Sequence, residues 1–275
     1  MGIRAFLDRS GQRQSDFATL AGFAGPISTW AEFDRGWKVV LTTGFRPVPY
    51  FHVVEALGLR PRSPFDRGLG WERRHIWDLL AKLIVYMGEY SKGRLTMHSC
   101  VIHMDAWRKL SASGVVIPSE VDLCNRYVSD GIVALFARKI LEEHSDESEI
   151  QLHTEDLLSF EFDRNEPFLG PFRELINRRK EEAETVGVST IWHLVDGINE
   201  GNMKCMPGLQ AADIFAWAIN RENTVAEGED GKYIAHLLRQ VVMSFTKEYD
   251  RSALLNEFGS ALRFAQAGGG EGAEE

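Results

Sequence analysis

One carboxylate set inside an apolar, helix-forming run constrains this chain more than any other feature. Residues 209–219 read Leu-Gln-Ala-Ala-Asp-Ile-Phe-Ala-Trp-Ala-Ile, so nearly every neighbour of Asp213 is apolar. Pro207 stands just ahead, at a position in the first helical turn where its missing N–H does no harm. An unpaired carboxylate buried in such surroundings is costly. The fold must therefore give Asp213 a partner cation, a metal ion, a proton or a backbone N–H. Gln210, three residues earlier on the same helical face, is placed to orient a ligand or a water.

Two other acids close apolar segments. Ile3, Ala5 and Leu7 alternate with Arg4, Phe6 and Asp8 before Ser10-Gly11 breaks the run, which predicts a strand ending at Asp8. Asp156–Asp163 predicts another strand ending at an acid. Between them the pattern predicts a strand at Asp16–Phe23, a helix at Thr29–Leu41 capped by Ser28, and a long Pro/Gly-rich loop from Thr42 to Gly70. An amphipathic helix follows through Ile76, Leu79, Leu80, Leu83, Ile84 and Met87, then a strand at Arg94–Asp105 and a helix at Glu120–Glu143. Later elements are a helix at Phe168–Val186, a short strand at Thr190–Val195, the helix Leu209–Asn220, and helices near Lys232–Tyr249 and Ser252–Phe264. The Gly/Glu-rich tail Ala267–Glu275 reads as disordered.

This order predicts an α/β fold, a ribonuclease H-like mixed sheet flanked by helices. The expected division is a core over 1–221 with an insertion at about 26–93, a C-terminal helical extension over 222–266, and the tail 267–275. In such a sheet Asp8, Asp163 and Asp213 can converge on one rim. Three carboxylates together repel unless cations are bound, and hard oxygen ligands select Mg²⁺ or Mn²⁺. Two such ions activate water and stabilise the leaving oxygen in phosphodiester hydrolysis. Glu166, three residues after Asp163, is a reserve ligand or base. His52, in the long loop, is a candidate proton donor or phosphate contact. His98 and His103 have no convincing metal-ligand spacing.

Charge is unevenly spread. Residues 1–110 hold 16 Lys and Arg against 10 Asp and Glu, a net of +6, whereas residues 111–275 carry −15, for a total of −9. The total argues against a protein coated in basic surface. Locally, Arg60, Arg62, Arg67, Arg73 and Arg74 crowd a stretch that also holds Phe65 and Trp71, a composition suited to phosphate contacts with aromatic stacking, or else to a solvated loop leading into a helix. Cys100, Cys124 and Cys205 fit neither a disulfide framework nor a zinc site and read as buried thiols. No apolar run approaches the roughly 20 residues that cross a bilayer, and no signal peptide is evident, so a cytoplasmic protein without membrane contact is expected.

Phe-Leu-Asp-Arg-Ser-Gly at 6–11, the Trp30–Trp37 helix, Tyr-Phe-His-Val-Val-Glu at 50–55, Phe-Glu-Phe-Asp-Arg at 160–164 and Leu-Gln-Ala-Ala-Asp-Ile-Phe-Ala-Trp at 209–217 together resemble the domain of unknown function 3800 family over about residues 3–221. The family's usual Asp-Glu-Ser-Gly opening matches at Asp8, Ser10 and Gly11, with Arg9 in place of Glu; Glu55 stands where an Asp is common. The resemblance implies a ribonuclease H-like fold and a nuclease or related phosphoryl-transfer role in bacteria. Strand alternation turns Arg9 away from the Asp8 face. The readings are a metal-dependent nuclease using Asp8, Asp163, Asp213, His52 and Gln210, a catalytically silent module that binds nucleic acid or a protein partner through the same groove, and, last, a metal-free two-carboxylate hydrolase.

Overall fold

The structure is a computed structural model that describes residues 2–11, 16–113, 116–143, 157–186, 191–224 and 244–258. Strand β1 (Ile3–Ser10) turns back into β2 (Phe17–Pro26), and the two pair antiparallel. β3 (Thr96–His103) pairs antiparallel with the far side of β2. β4 (Leu158–Asp163) lies parallel to β1, and β5 (Val195–Gly201) parallel to β4. β6 (Ser244–Tyr249) adds parallel to β3, so the sheet is mixed and six-stranded in the order β5-β4-β1-β2-β3-β6.

Helices cover both faces, which is why the central strands carry apolar side chains on both sides. Alternation along β1 sends Ile3, Ala5 and Leu7 to one core and Phe6 to the other. The Phe6 side is covered by α1 (Ile27–Leu41), the short α2 (Val53–Leu57), α3 (Arg73–Ser91) and α7 (Pro207–Thr224). The opposite side is covered by α4 (Met104–Ala112), α5 (Glu120–Glu143), α6 (Leu169–Val186) and a helical segment at 251–258. α1 buries Trp30, Phe33, Trp37 and Leu41, the spacing of a single helical stripe. It starts directly at Pro26 with no side-chain cap, so Ser28 lies inside the first turn rather than capping it. α3 begins with the reciprocal bonds of Glu72 and His75.

α7 lies close over β1 and β2, and Gly208 makes that approach possible. A Cβ there would come within 2.3 Å of the Phe6 ring. Two turns further on, Phe215 meets Phe23 with ring centroids 5.4 Å apart.

Three expectations need correcting. Residues 191–194 form a 3-10 turn, and the strand expected at Thr190–Val195 begins only at Val195. That strand is a sheet edge, half solvated, so its sequence Asp-Gly-Ile-Asn-Glu lacks the apolar run of a central strand. The supposed C-terminal helical extension also contributes a strand: Phe245, Lys247 and Tyr249 alternate with Thr246 and Glu248, and this period of two outweighs the helical reading of Lys232–Tyr249. Finally, α4 follows β3 without a break where no helix was expected. Residues 225–243 and 259–275, including the tail 267–275, lie outside the described residues.

Candidate functional site

β1 and β4 run parallel with Leu7 opposite Phe162, so one step further Asp8 and Asp163 fall on neighbouring strands. Phe160 and Phe162 point into the α6-side core, and alternation therefore places Asp163 on the other face, with Asp8 and beneath α7. From α7, Asp213 completes the group. Asp8 and Asp213 are 6% and 7% exposed, so both carboxyls sit in a desolvated setting.

Electrostatics ties the acids together. Burial pushes the Asp8 carboxyl well above the usual carboxylate range, and the charges of Asp213, Glu166 and Asp163 push further; only the Arg9 N–H opposes them. Burial likewise raises Asp213, to about 6, against the charge of His52 and a backbone hydrogen bond from Val53. Asp8 and Asp213 lie close enough that each one's charge state bears on the other's. Val53 N–H donates to Asp213 Oδ2 at 2.8 Å, and Met203 N–H to Asp163 Oδ1 at 2.9 Å. Among the described residues, no three His, Cys, Asp or Glu side chains are gathered closely enough to hold a metal ion.

Gln210 is 1% exposed and its amide bonds three partners. Its Oε1 accepts from Trp37 Nε1 at 2.8 Å and from Phe51 N–H at 2.9 Å, while Nε2 donates to the Met203 carbonyl at 2.9 Å. It fastens α1, the loop before α2 and the β5–α7 loop to one point, which makes it a residue that builds the site.

His52 stands immediately before α2, with Nδ1 3.6 Å from Glu55 Oε1. Sequence reasoning missed the rest of this cluster: Tyr50 Oη donates to Glu55 Oε2 at 2.7 Å, and Lys204 Nζ lies 3.6 Å from Glu55 Oε1 and 4.8 Å from the Tyr50 ring centroid. Partial desolvation works against the Glu55 charge, but the Tyr50 hydrogen bond and the charges of Lys204 and His52 hold its carboxyl below the ordinary value. The i, i+3 spacing of His52 and Glu55 was a legible signal; no local pattern announces Lys204.

Glu166 accepts an ion pair from Arg9 Nε at 3.2 Å and a hydrogen bond from Phe168 N–H at 3.3 Å. Burial raises its carboxyl to about 7 despite the Arg9 charge. Arg9 itself lines a separate cleft of about 380 Å³ with Gly11, Met104, Glu120, Val121 and Phe168, on the α5 side of the sheet.

All five arginines, Arg60, Arg62 and Arg67 before α3 and Arg73 and Arg74 in its first turn, are exposed. Phe65 and Trp71, however, are 0% and 1% exposed and stack edge-on with Phe51 and each other in the core, so neither is free to stack on a base. The loop is held in shape by Asp66, whose carboxylate accepts the N–H groups of Arg62 and Gly68 at 2.8 and 2.7 Å. Cys100 and Cys124 are buried as expected, but Cys205 is exposed beside Lys204. No described helix is long and apolar enough to cross a membrane.

What these residues define at the level of class is an α/β protein with a mixed sheet and an acidic centre formed by β1, β4 and α7. Compared with protein-family models, with curated proteins and with solved structures, the chain gives no match in any of the three.

Proposed function

We propose that this protein hydrolyses phosphodiester bonds of nucleic acid with Mg²⁺ or Mn²⁺ held by Asp8, Asp163 and Asp213. The observation that carries the reading is the convergence of Asp8 and Asp163 on neighbouring strands with Asp213 of α7, Asp8 and Asp213 both being buried. Three separate elements bring these carboxyls together, and among the described residues no Lys or Arg side chain forms an ion pair with any of them. Such a group accommodates surplus charge either with a proton or with a cation. The donor set suits hard divalent ions, and Asp163 and Asp213 each keep a carboxylate oxygen outside their backbone hydrogen bonds; to share an ion the three carboxyls must draw closer than they stand here. When bound, such ions supply an activated water and stabilise the leaving oxygen. The chain's own residues set the geometry: Gln210 fixes the loops, Val53 and Met203 N–H orient two of the acids, and His52, close enough to act on Asp213, is the candidate to meet a phosphate oxygen or a proton.

A ribonuclease H-like fold is supported by the antiparallel β1, β2 and β3 followed by β4 and β5 parallel to β1, in the order β5-β4-β1-β2-β3. Arg60, Arg62, Arg67, Arg73 and Arg74 are the proposed phosphate contacts, acting by charge without aromatic stacking. A cytoplasmic location without membrane contact accords with this reading. A second reading, a catalytically silent module that binds nucleic acid or a protein partner, draws on the Arg9–Glu166 pair, which withholds a reserve ligand from the centre.

The test is calorimetric titration of Mn²⁺ into wild-type protein and Asp8→Asn and Asp213→Asn variants, beside cleavage assays on single- and double-stranded DNA and RNA. Metal binding and cleavage lost together in the variants support hydrolysis. A wild-type protein that binds nucleic acid with neither metal affinity nor turnover selects the silent module.

A further inference from the structure

The cluster around Glu55 does more than position His52. Asp213 and Asp163 each hold a loop by a backbone N–H, that of Val53 on one side and that of Met203 on the other. His52 precedes the first of these residues and Lys204 follows the second. Both side chains lean on the same carboxylate, each 3.6 Å from Glu55 Oε1. Two segments far apart in the chain are thus locked so that two nitrogen-bearing side chains meet beside the acidic centre.

Exposure gives the arrangement a direction. The Glu55 side chain is 18% exposed and lies inward, whereas that of Lys204 is 55% exposed and faces solvent. The Lys204 ammonium is drawn to both Tyr50 and Glu55, and with three N–H donors on an exposed side chain it keeps donor capacity toward solvent. Tyr50 supports it from below, 4.8 Å from ring centroid to Nζ, and is itself held by Glu55 at 2.7 Å. A long, flexible side chain is here restrained by charge on one side and an aromatic face on the other, which reduces the entropy lost when it grips a ligand.

We propose that Lys204 and His52 form an anion subsite that takes a phosphate group of the substrate, with Glu55 and Tyr50 as its support. The subsite rests on the phosphodiester reading for its location next to the reacting bond, but its ligand chemistry stands on these four residues. It accounts for how a centre of like-charged acids admits a polyanion: the phosphate is met by a cation at the mouth before it reaches the carboxylates.

The test has two arms. In the first, anisotropy of a labelled single-stranded oligonucleotide, with Ca²⁺ as the divalent ion, gives the slope of log Kd against log salt for wild type, Lys204→Gln and Lys204→Arg. Loss of one phosphate contact lowers the magnitude of the slope by about 0.7 for a single strand. Lys204→Gln should show that drop, and Lys204→Arg should restore it, which a residue serving only the fold would not do. In the second arm, inorganic phosphate is titrated into ¹³C-lysine-labelled protein while the Lys204 ε-methylene signal, assigned by its absence from Lys204→Arg, is followed. A protein that cleaves nucleic acid, keeps its slope in Lys204→Gln and shows no phosphate-dependent Lys204 signal overturns the subsite and leaves the hydrolytic reading intact. A Lys204 signal that moves with phosphate in a protein that cleaves nothing keeps the subsite and removes the hydrolytic reading.

Discussion

Replacing Gln210 by Leu tests whether one buried amide holds the candidate site together. The substitution nearly conserves volume and stays apolar among apolar neighbours, so packing changes little. It strands three partners instead: Trp37 Nε1–H, Phe51 N–H and the Met203 carbonyl, each now within 2.9 Å of the amide. Leaving a buried polar group unsatisfied costs about 1–3 kcal/mol, so three together cost about 3–9 kcal/mol, and local relaxation that admits water brings the expectation to about 3–5 kcal/mol. Against a total stability of about 5–15 kcal/mol this is a large fraction. Urea denaturation should show a lower midpoint with an unchanged m value, and the melting temperature should fall by roughly 2 °C per kcal/mol. Adding Trp37→Phe removes one stranded donor, so the double variant should be more stable than the sum of the single effects predicts. A Leu variant within about 1 kcal/mol of wild type would refute the argument, because that is no more than one ordinary hydrogen bond contributes.

Asp213 provides a pH signature in metal-free buffer. Its folded pKa of about 6 lies above the ordinary 3.8, so between these values the native chain binds more protons than the unfolded one. Stability therefore falls as pH rises through that window and levels off above it. Asp213→Asn keeps an acceptor for Val53 N–H and escapes the loss, so it should match wild type at pH 4 and exceed it by up to about 3 kcal/mol at pH 8. Urea midpoints at the two pH values check this, and a variant less stable than wild type at pH 8 would contradict it. In the arginine loop, changing Arg60, Arg62 and Arg67 together to Gln should lower the magnitude of the salt slope for single-stranded nucleic acid by up to about 2 while leaving the melting temperature nearly unchanged. Trp71→Ala should do the reverse, costing about 3–5 kcal/mol of stability with an unaltered slope, since Trp71 is core. A reduced slope in the Trp71 variant, at a temperature where it remains folded, would return that ring to the binding surface.

Much of the central architecture was legible because it is written in local periodicity. Alternation at Ile3–Asp8 and the stripe through Ile76, Leu80 and Met87 translate directly into β1 and α3. The edge strands were not legible: β5 is half solvated, and β6 is a six-residue segment whose partner lies far back in the chain. The site followed the same rule. Asp213 was visible because a carboxylate in an apolar run requires compensation whatever the topology. Gln210 was visible as a polar residue in that run, but its role was not, since its three partners come from three remote segments. Phe65 and Trp71 were misread because composition alone cannot distinguish an aromatic side chain that faces a ligand from one that pins a loop to the core. Lys204 joins Glu55 only through the folding of two loops, and nothing in either local sequence encodes that meeting.

The meeting of Asp8 with Asp213 also has a consequence for how the protein is made. Some two hundred residues separate them, and at translation rates of about 5–20 residues per second roughly 10–40 s pass between the synthesis of one and the other. Through that interval Phe23 lacks its Phe215 neighbour and the loops that Gln210 fastens have no anchor. On the ribosome, then, the early strands wait with part of one face uncovered, a surface suited to a holding chaperone. The acidic centre closes only when α7 has emerged, so a nascent chain carries its first acid long before the other two join it.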